Sequence, residues 1–139
     1  MSIATGANAR AAYVRDSITS ASPAQALTML YDRLLLDLQW AEKCQSRGEW
    51  IEASRHLIHA QDILTELAAT LKPELWSGGP ALMSLYHYVL GILRTGNAWR
   101  DIEPTLEAIE LLEPLRLAWH TAHDAVATAP TPGRLSAVG

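Results

Sequence analysis

The sequence predicts an all-α fold: an antiparallel four-helix bundle with a short N-terminal arm and a disordered C-terminal tail. Three observations carry this. Four segments repeat apolar residues at steps of three and four, the spacing of one helix face. Each segment is bounded by residues that start or stop helices. Nowhere does the chain alternate polar and apolar residues as a strand does. The expected division is an arm over 1–21, a bundle over 22–127 and a tail over 128–139.

The first helix has a well-marked start. Ser22 is placed to cap the free amides of the first turn, Pro23 suits the first helical position, and Gln25 stands three residues after the cap. Its stripe is Leu27, Leu30, Tyr31, Leu34, Leu38 and Ala41, running to about Ser46, and Gly48 stops it. The second stripe is Ala53, Leu57, Ala60, Leu64, Leu67 and Leu71, ended by Lys72 and Pro73. The short turn between these helices makes them antiparallel.

Residues 73–80 form a loop by composition, and Pro80 opens the third helix. Its stripe is Leu82, Leu85, Tyr86, Val89 and Leu93, and Gly96 and Asn97 are expected to close it. Gly91 inside it costs about 1 kcal/mol relative to Ala and is expected to admit another backbone. The fourth helix starts near Asp101, with Pro104 in its first turn. Its stripe is Leu106, Ile109, Leu112, Trp119, Ala122 and Val126, with a kink or break expected at Pro114. Glu103, Glu107 and Glu110 share a solvated face. The tail, rich in Pro, Thr, Ala and Gly, reads as disordered.

The chain has 139 residues, of which 49% are apolar and 19% charged, enough for one domain with a real core. A net charge of −4 argues against a dedicated nucleic-acid binder, which needs a basic face. A single cysteine, Cys44, allows no internal disulfide. The first ten residues lack a signal-peptide apolar stretch, and no apolar run approaches a membrane span. These features predict a soluble, cytoplasmic protein.

Catalytic constellations are absent from the pattern. His56 with His59, and His120 with His123, are i, i+3 pairs. Neither pair has the Glu three residues before a His that di-metal bundles use, so solvated histidines are expected and no metal or cofactor is assigned. Cys44 has no marked base and reads as a small packing residue. Asp32, Asp37 and Glu42 spread around the first helix. Gly78 and Gly79 lack the Lys and Ser/Thr of a phosphate loop.

The aromatics are more informative: five Trp, four Tyr and no Phe. Tyr and Trp suit surfaces that are buried only part of the time. Bundle layers filled by Trp40, Trp99 and Trp119 are the alternative. Tyr86 and Tyr88 flank His87, so one faces the core while the other points away.

Tyr13, Ala21 to Pro23 and Met29 to Asp32 resemble the opening of the flagellin-specific export chaperones, the FliS family. The similarity continues through His59 to Leu67 and Leu71. It resumes at Leu85 to Tyr88, at Leu93 to Asn97, and at Asp101, Leu106, Leu111, Leu112, Ala118 and Trp119. It spans about Tyr13 to Val126. The segment from Gly78 to Tyr86 is shorter than the family's usual form and lacks its Asn, and His87 stands where an acidic residue is common.

The resemblance implies a helical bundle that binds the disordered C-terminal segment of flagellin, holds it monomeric and supports type III export, without ATP or metal. Other export components are possible partners, and the chain itself is expected to be a monomer or weak homodimer. On this reading the client groove is assigned to Tyr13 on the arm, Leu57, Gln61 and Leu64 on the second helix, and Tyr86, Val89, Leu93 and Asn97 around the third. Periodicity does not separate a core stripe from a groove stripe. Gln61 reads equally as an ordinary solvated residue, and Asn97 as a helix cap. The arm residues Tyr13, Val14 and Ile18 are expected to cover part of the groove until a client displaces them. Two other readings remain open: a structural bundle that homodimerises through Trp-bearing faces, and an enzyme of unrecognised type.

Overall fold

The structure, a computed structural model, describes residues 22–128. The expected arm, including Tyr13, and the expected tail beyond Thr128 lie outside the described residues. Four α-helices follow in order: α1 (Pro23–Ser46), α2 (Trp50–Thr70), α3 (Gly79–Trp99) and α4 (Glu103–Thr128), with a single 3-10 turn, Pro73–Leu75, between α2 and α3. α1 packs on α2 and α4, and α3 packs on the same two helices from the opposite corner. Short turns join successive helices, so the bundle runs up, down, up and down.

The first helix begins and ends where its punctuation requires. Ser22 Oγ accepts from the Gln25 amide at 3.2 Å. At the other end Gly48 adopts φ 73°, a left-handed turn in which glycine pays no Cβ penalty. The Glu49 amide then bonds the Cys44 carbonyl at 2.8 Å.

Several expectations about α3 and α4 are corrected. α3 does not close at Gly96 and Asn97 but runs on to Trp99. Gly96 is buried instead, where a Cβ would lie 2.9 Å from Pro104 Cγ and 3.1 Å from the Asp101 carbonyl. Its job is close packing against the start of α4. Arg100 ends the helix, in the left-handed conformation at φ 53°, ψ 49°, and the Asp101 amide caps the Gly96 carbonyl at 2.9 Å.

Of the kink or break expected at Pro114, the break is absent: α4 is continuous through it. Pro114 and Glu110 are both exposed, so proline sits on the solvent face, where losing a backbone hydrogen bond costs least. Only the first part of the expected α4 stripe is interior. Leu112 and Ala108 are buried, whereas Ala122 is exposed and Val126 is 73% exposed. Gly91 also departs from expectation: nothing lies within 4 Å of a Cβ built there, so no backbone of the described chain approaches it.

The core is formed by Leu30, Leu34, Leu38, Leu57, Leu64 and Leu93 with their neighbours. At its centre Tyr31 of α1 and Tyr86 of α3 place their hydroxyls 2.7 Å apart, across the diagonal of the bundle. Both residues are buried, and burial pushes both hydroxyls above the ordinary tyrosine range.

Polar ties join neighbouring helices nearer the surface. Asp37 of α1 is buried and faces His56 Nδ1 at 3.5 Å and His59 Nδ1 of α2, with Arg33 Nε at 3.7 Å. Asp32 of α1 receives Arg116 at 3.1 Å and His120 at 2.6 Å from α4. Asn97 of α3 donates to Ser54 of α2 at 3.0 Å, and Tyr88 of α3 donates to Glu107 of α4. The expectation of solvated histidines is therefore corrected for His56 and His59, which meet the buried Asp37, whereas His120 meets Asp32 at the surface. Their i, i+3 neighbours are less decisive than the carboxylate each meets on another helix. Among the described residues no group of three or more His, Cys, Asp or Glu is arranged to hold a metal ion.

Three predictions follow from the burial or exposure of these groups. Tyr86→Phe strands the Tyr31 hydroxyl and costs about 1–3 kcal/mol in urea unfolding, while Tyr31→Phe with Tyr86→Phe costs less than the two single changes summed. The unfolded chain ionises both tyrosines near pH 10.0, and burial holds both protonated to higher pH in the native chain. Stability is thus fully present below that pH and falls as pH rises above it, which urea unfolding across that range measures. Asp37→Ala costs about 1–3 kcal/mol because its carboxylate is buried. Asp32→Ala, at the exposed tie, costs less than about 1 kcal/mol in the same measurement.

Candidate functional site

Among the concavities of the described bundle, two contrast in chemistry. The first is an apolar cleft of about 440 Å³ at the end where α1 begins and α2 finishes. Leu27, Leu30 and Leu71 line it with Trp76 and Trp119. The two indoles meet edge to face, with ring centroids 6.3 Å apart. The Trp119 indole N–H is buried, and its ring centroid lies 6.2 Å from that of Tyr31. Tyr86 also reaches this cleft.

The second is an open groove of about 670 Å³ between α2 and α3. Trp50, Ile51 and Ile58 supply its apolar surface, Gln61 and Asn97 its amides, and Arg94 and Arg100 lie along it. Ile51 is 80% exposed, a large apolar side chain left in water by the bundle itself.

The structure divides the expected client residues into two sets. Leu57, Leu64, Val89 and Leu93 are fully buried and belong to the core. Tyr86 is buried and hydrogen-bonded to Tyr31, and reaches the apolar cleft only from beneath. Gln61 and Asn97 are half-buried and come together on the α2–α3 groove. Asn97 is held by Ser54 and lies inside α3, so it does not cap the helix. Tyr13 lies outside the described residues.

The sequence reading passed over Ile51, Ser54, Ile58 and Arg94. A signal for three of them was present. Ile51 and Ile58 are seven apart, as are Ser54 and Gln61, beside the core stripe of Ala53, Leu57, Ala60 and Leu64. Such a second heptad line marks a helix with two contact faces.

The tryptophans are divided among separate features. Trp76 and Trp119 line the cleft and Trp50 the groove. Trp40 stacks on His56 at a centroid distance of 6.2 Å, with Lys43 over its ring at 4.9 Å. Trp99 is 80% exposed. Trp40 and Trp99 thus do not fill interior layers. Tyr86 and Tyr88 divide as expected, one in the core and the other 49% exposed.

Cys44 is buried, and burial, aided by Glu49 and Glu52, pushes its thiol above the ordinary cysteine range. A thiol so placed is a packing group, since the thiolate is the reactive form. No described helix is long and apolar enough to cross a membrane.

These features describe a bundle with a packed leucine core whose edges offer apolar surface beside the amides of Gln61 and Asn97. A search of curated proteins gave no match. The family described as flagellar protein FliS matches residues 6–126, most of the chain and all but the last residues of α4. With that match over a four-helix bundle, the chain belongs to the FliS family of flagellar export chaperones.

Proposed function

We propose that this chaperone binds the C-terminal segment of flagellin in the cytoplasm, prevents its premature polymerisation and supports its passage through the type III flagellar export path. The α2–α3 groove is the observation that carries this reading. It exposes Ile51 and Ile58, which the fold does not use, beside Gln61 and Asn97. An amphipathic helix laid in such a groove buries those side chains. The amides are available to the backbone carbonyls and amides of any part of the client that is not helical.

The energetics favour a disordered client. Ordering a segment on binding costs several kcal/mol, so the surface must return apolar area over a long path. The groove runs along α2 from Trp50 to Gln61, a path of roughly 17 Å. The apolar cleft at the start of α1 offers a second anchoring place for the same client. Arm residues Tyr13, Val14 and Ile18 enter the proposal as a cover that the client displaces.

Calorimetric titration of the full chain with the flagellin C-terminal segment from the same organism, with circular dichroism on the mixture, tests this. One-to-one binding, a gain in helix and a negative heat-capacity change are expected. Absence of binding at tens of micromolar would leave the family's fold without this client. Core and groove separate in the same assay. Leu64→Ala lowers stability by about 2–5 kcal/mol, as a buried leucine should. Gln61→Ala changes stability by less than about 0.5 kcal/mol and weakens client binding. Removal of residues 1–18 is expected to raise affinity if the arm competes with the client.

A further inference from the structure

We infer that the α2–α3 groove selects a client segment whose apolar stripe is flanked by carboxylates. This inference rests on the flagellin reading above and adds to it the charge of the segment that lies in this groove.

The whole chain carries 15 acidic and 11 basic residues, yet no Asp or Glu lines this groove. Three arginines do: Arg55 on α2, and Arg94 and Arg100 at the end of α3. Arg55 is held 3.6 Å from Glu52, its neighbour on the same helix. Among the described residues neither Arg94 nor Arg100 forms an ion pair. Both are exposed. The result is a basic rim around Ile51 and Ile58 on an otherwise acidic protein.

Arg100 adds a second argument. It ends α3 at φ 53°, a conformation in which glycine is the usual residue because a Cβ is strained there. Here the chain keeps a long basic side chain at a position where the backbone favours glycine. A role for the guanidinium on the groove accounts for that choice.

An amphipathic helix with carboxylates beside its apolar stripe fits both parts of the groove. Its apolar residues meet Ile51 and Ile58 while its carboxylates meet Arg94 and Arg100. Such rim charges act mainly on association rate and discrimination and are screened by salt. A segment with basic flanks meets like charge on the same rim and is disfavoured.

The test is titration of the full chain with the flagellin C-terminal segment at about 50 and about 500 mM salt, where the screening length differs severalfold. The chains compared are unaltered, Arg100→Gly, and Arg94→Glu with Arg100→Glu. The unaltered chain should lose affinity as salt rises. The double variant should bind roughly tenfold more weakly at low salt and show a flatter salt dependence. Arg100→Gly should weaken binding while its thermal midpoint stays level or rises, which separates a contact role from a structural one.

Double-variant binding within about twofold of the unaltered chain, with the same salt slope, would overturn the charge selection and leave client binding intact. No binding by the unaltered chain would overturn both readings. A salt-sensitive dimer of the unaltered chain that the double variant abolishes would assign the groove to a second copy and overturn this inference.

Discussion

The hydroxyl pair between Tyr31 and Tyr86 sets the geometry on which the rest of the bundle depends. An interior of leucines alone tolerates several registers, because one methyl surface resembles another. Two hydroxyls 2.7 Å apart in that interior do not. Each is costly to bury alone and satisfied only when α1 and α3 hold one axial position across the diagonal. The ties at the four helix–helix seams then follow. Asp37 meets the imidazoles of α2, Asp32 meets Arg116 and His120 of α4, Asn97 meets Ser54, and Tyr88 meets Glu107. The buried seam at Asp37 binds α1 to α2 in a way that the exposed seam at Asp32 does not, because water competes for the latter.

Local punctuation made α1 legible to the residue. Ser22, Pro23 and Gly48 act through backbone rules that need no tertiary partner. The errors came where a neighbouring helix decides. Gly96 and Asn97 looked like a helix end, but Gly96 is small because Pro104 packs on it. Pro114 looked like a break, but it falls on the solvent face, where losing a backbone hydrogen bond costs least. His56 and His59 looked solvated because nothing within α2 shows that Asp37 stands opposite them. Ala122 and Val126 continued an apolar rhythm past the point where α4 has a core to face.

The site was less legible than the fold for a related reason. A helix that both builds a bundle and presents a groove carries two apolar lines. The stronger line, Leu57 and Leu64 on α2 with Val89 and Leu93 on α3, is interior. The weaker line, Ile51 and Ile58, is the exposed one. Strength of periodicity therefore pointed to the core, while Gln61 and Asn97 reached the groove because polar residues beside an apolar stripe mark its edge. The resemblance to export chaperones identified the family, and family alone does not sort edge from interior.

That division of labour is what the proposed binding of a disordered client requires of a small bundle that must keep its own fold. Stability resides in buried leucines such as Leu34, Leu57 and Leu64 and in a tyrosine pair buried between α1 and α3. The groove draws on Ile51, Ile58, Gln61 and Asn97, of which only Asn97 has a structural tie, to Ser54. Groove residues can then follow the client's chemistry at little cost to the scaffold. Gly91 obeys the same logic in the opposite sense. It lowers the intrinsic stability of α3 by about 1 kcal/mol relative to Ala, and no part of the described chain packs where its Cβ would be. A bundle stabilised chiefly by packed leucines can carry such a residue on its outer surface, because tertiary burial rather than helix propensity supplies most of a helix's stability.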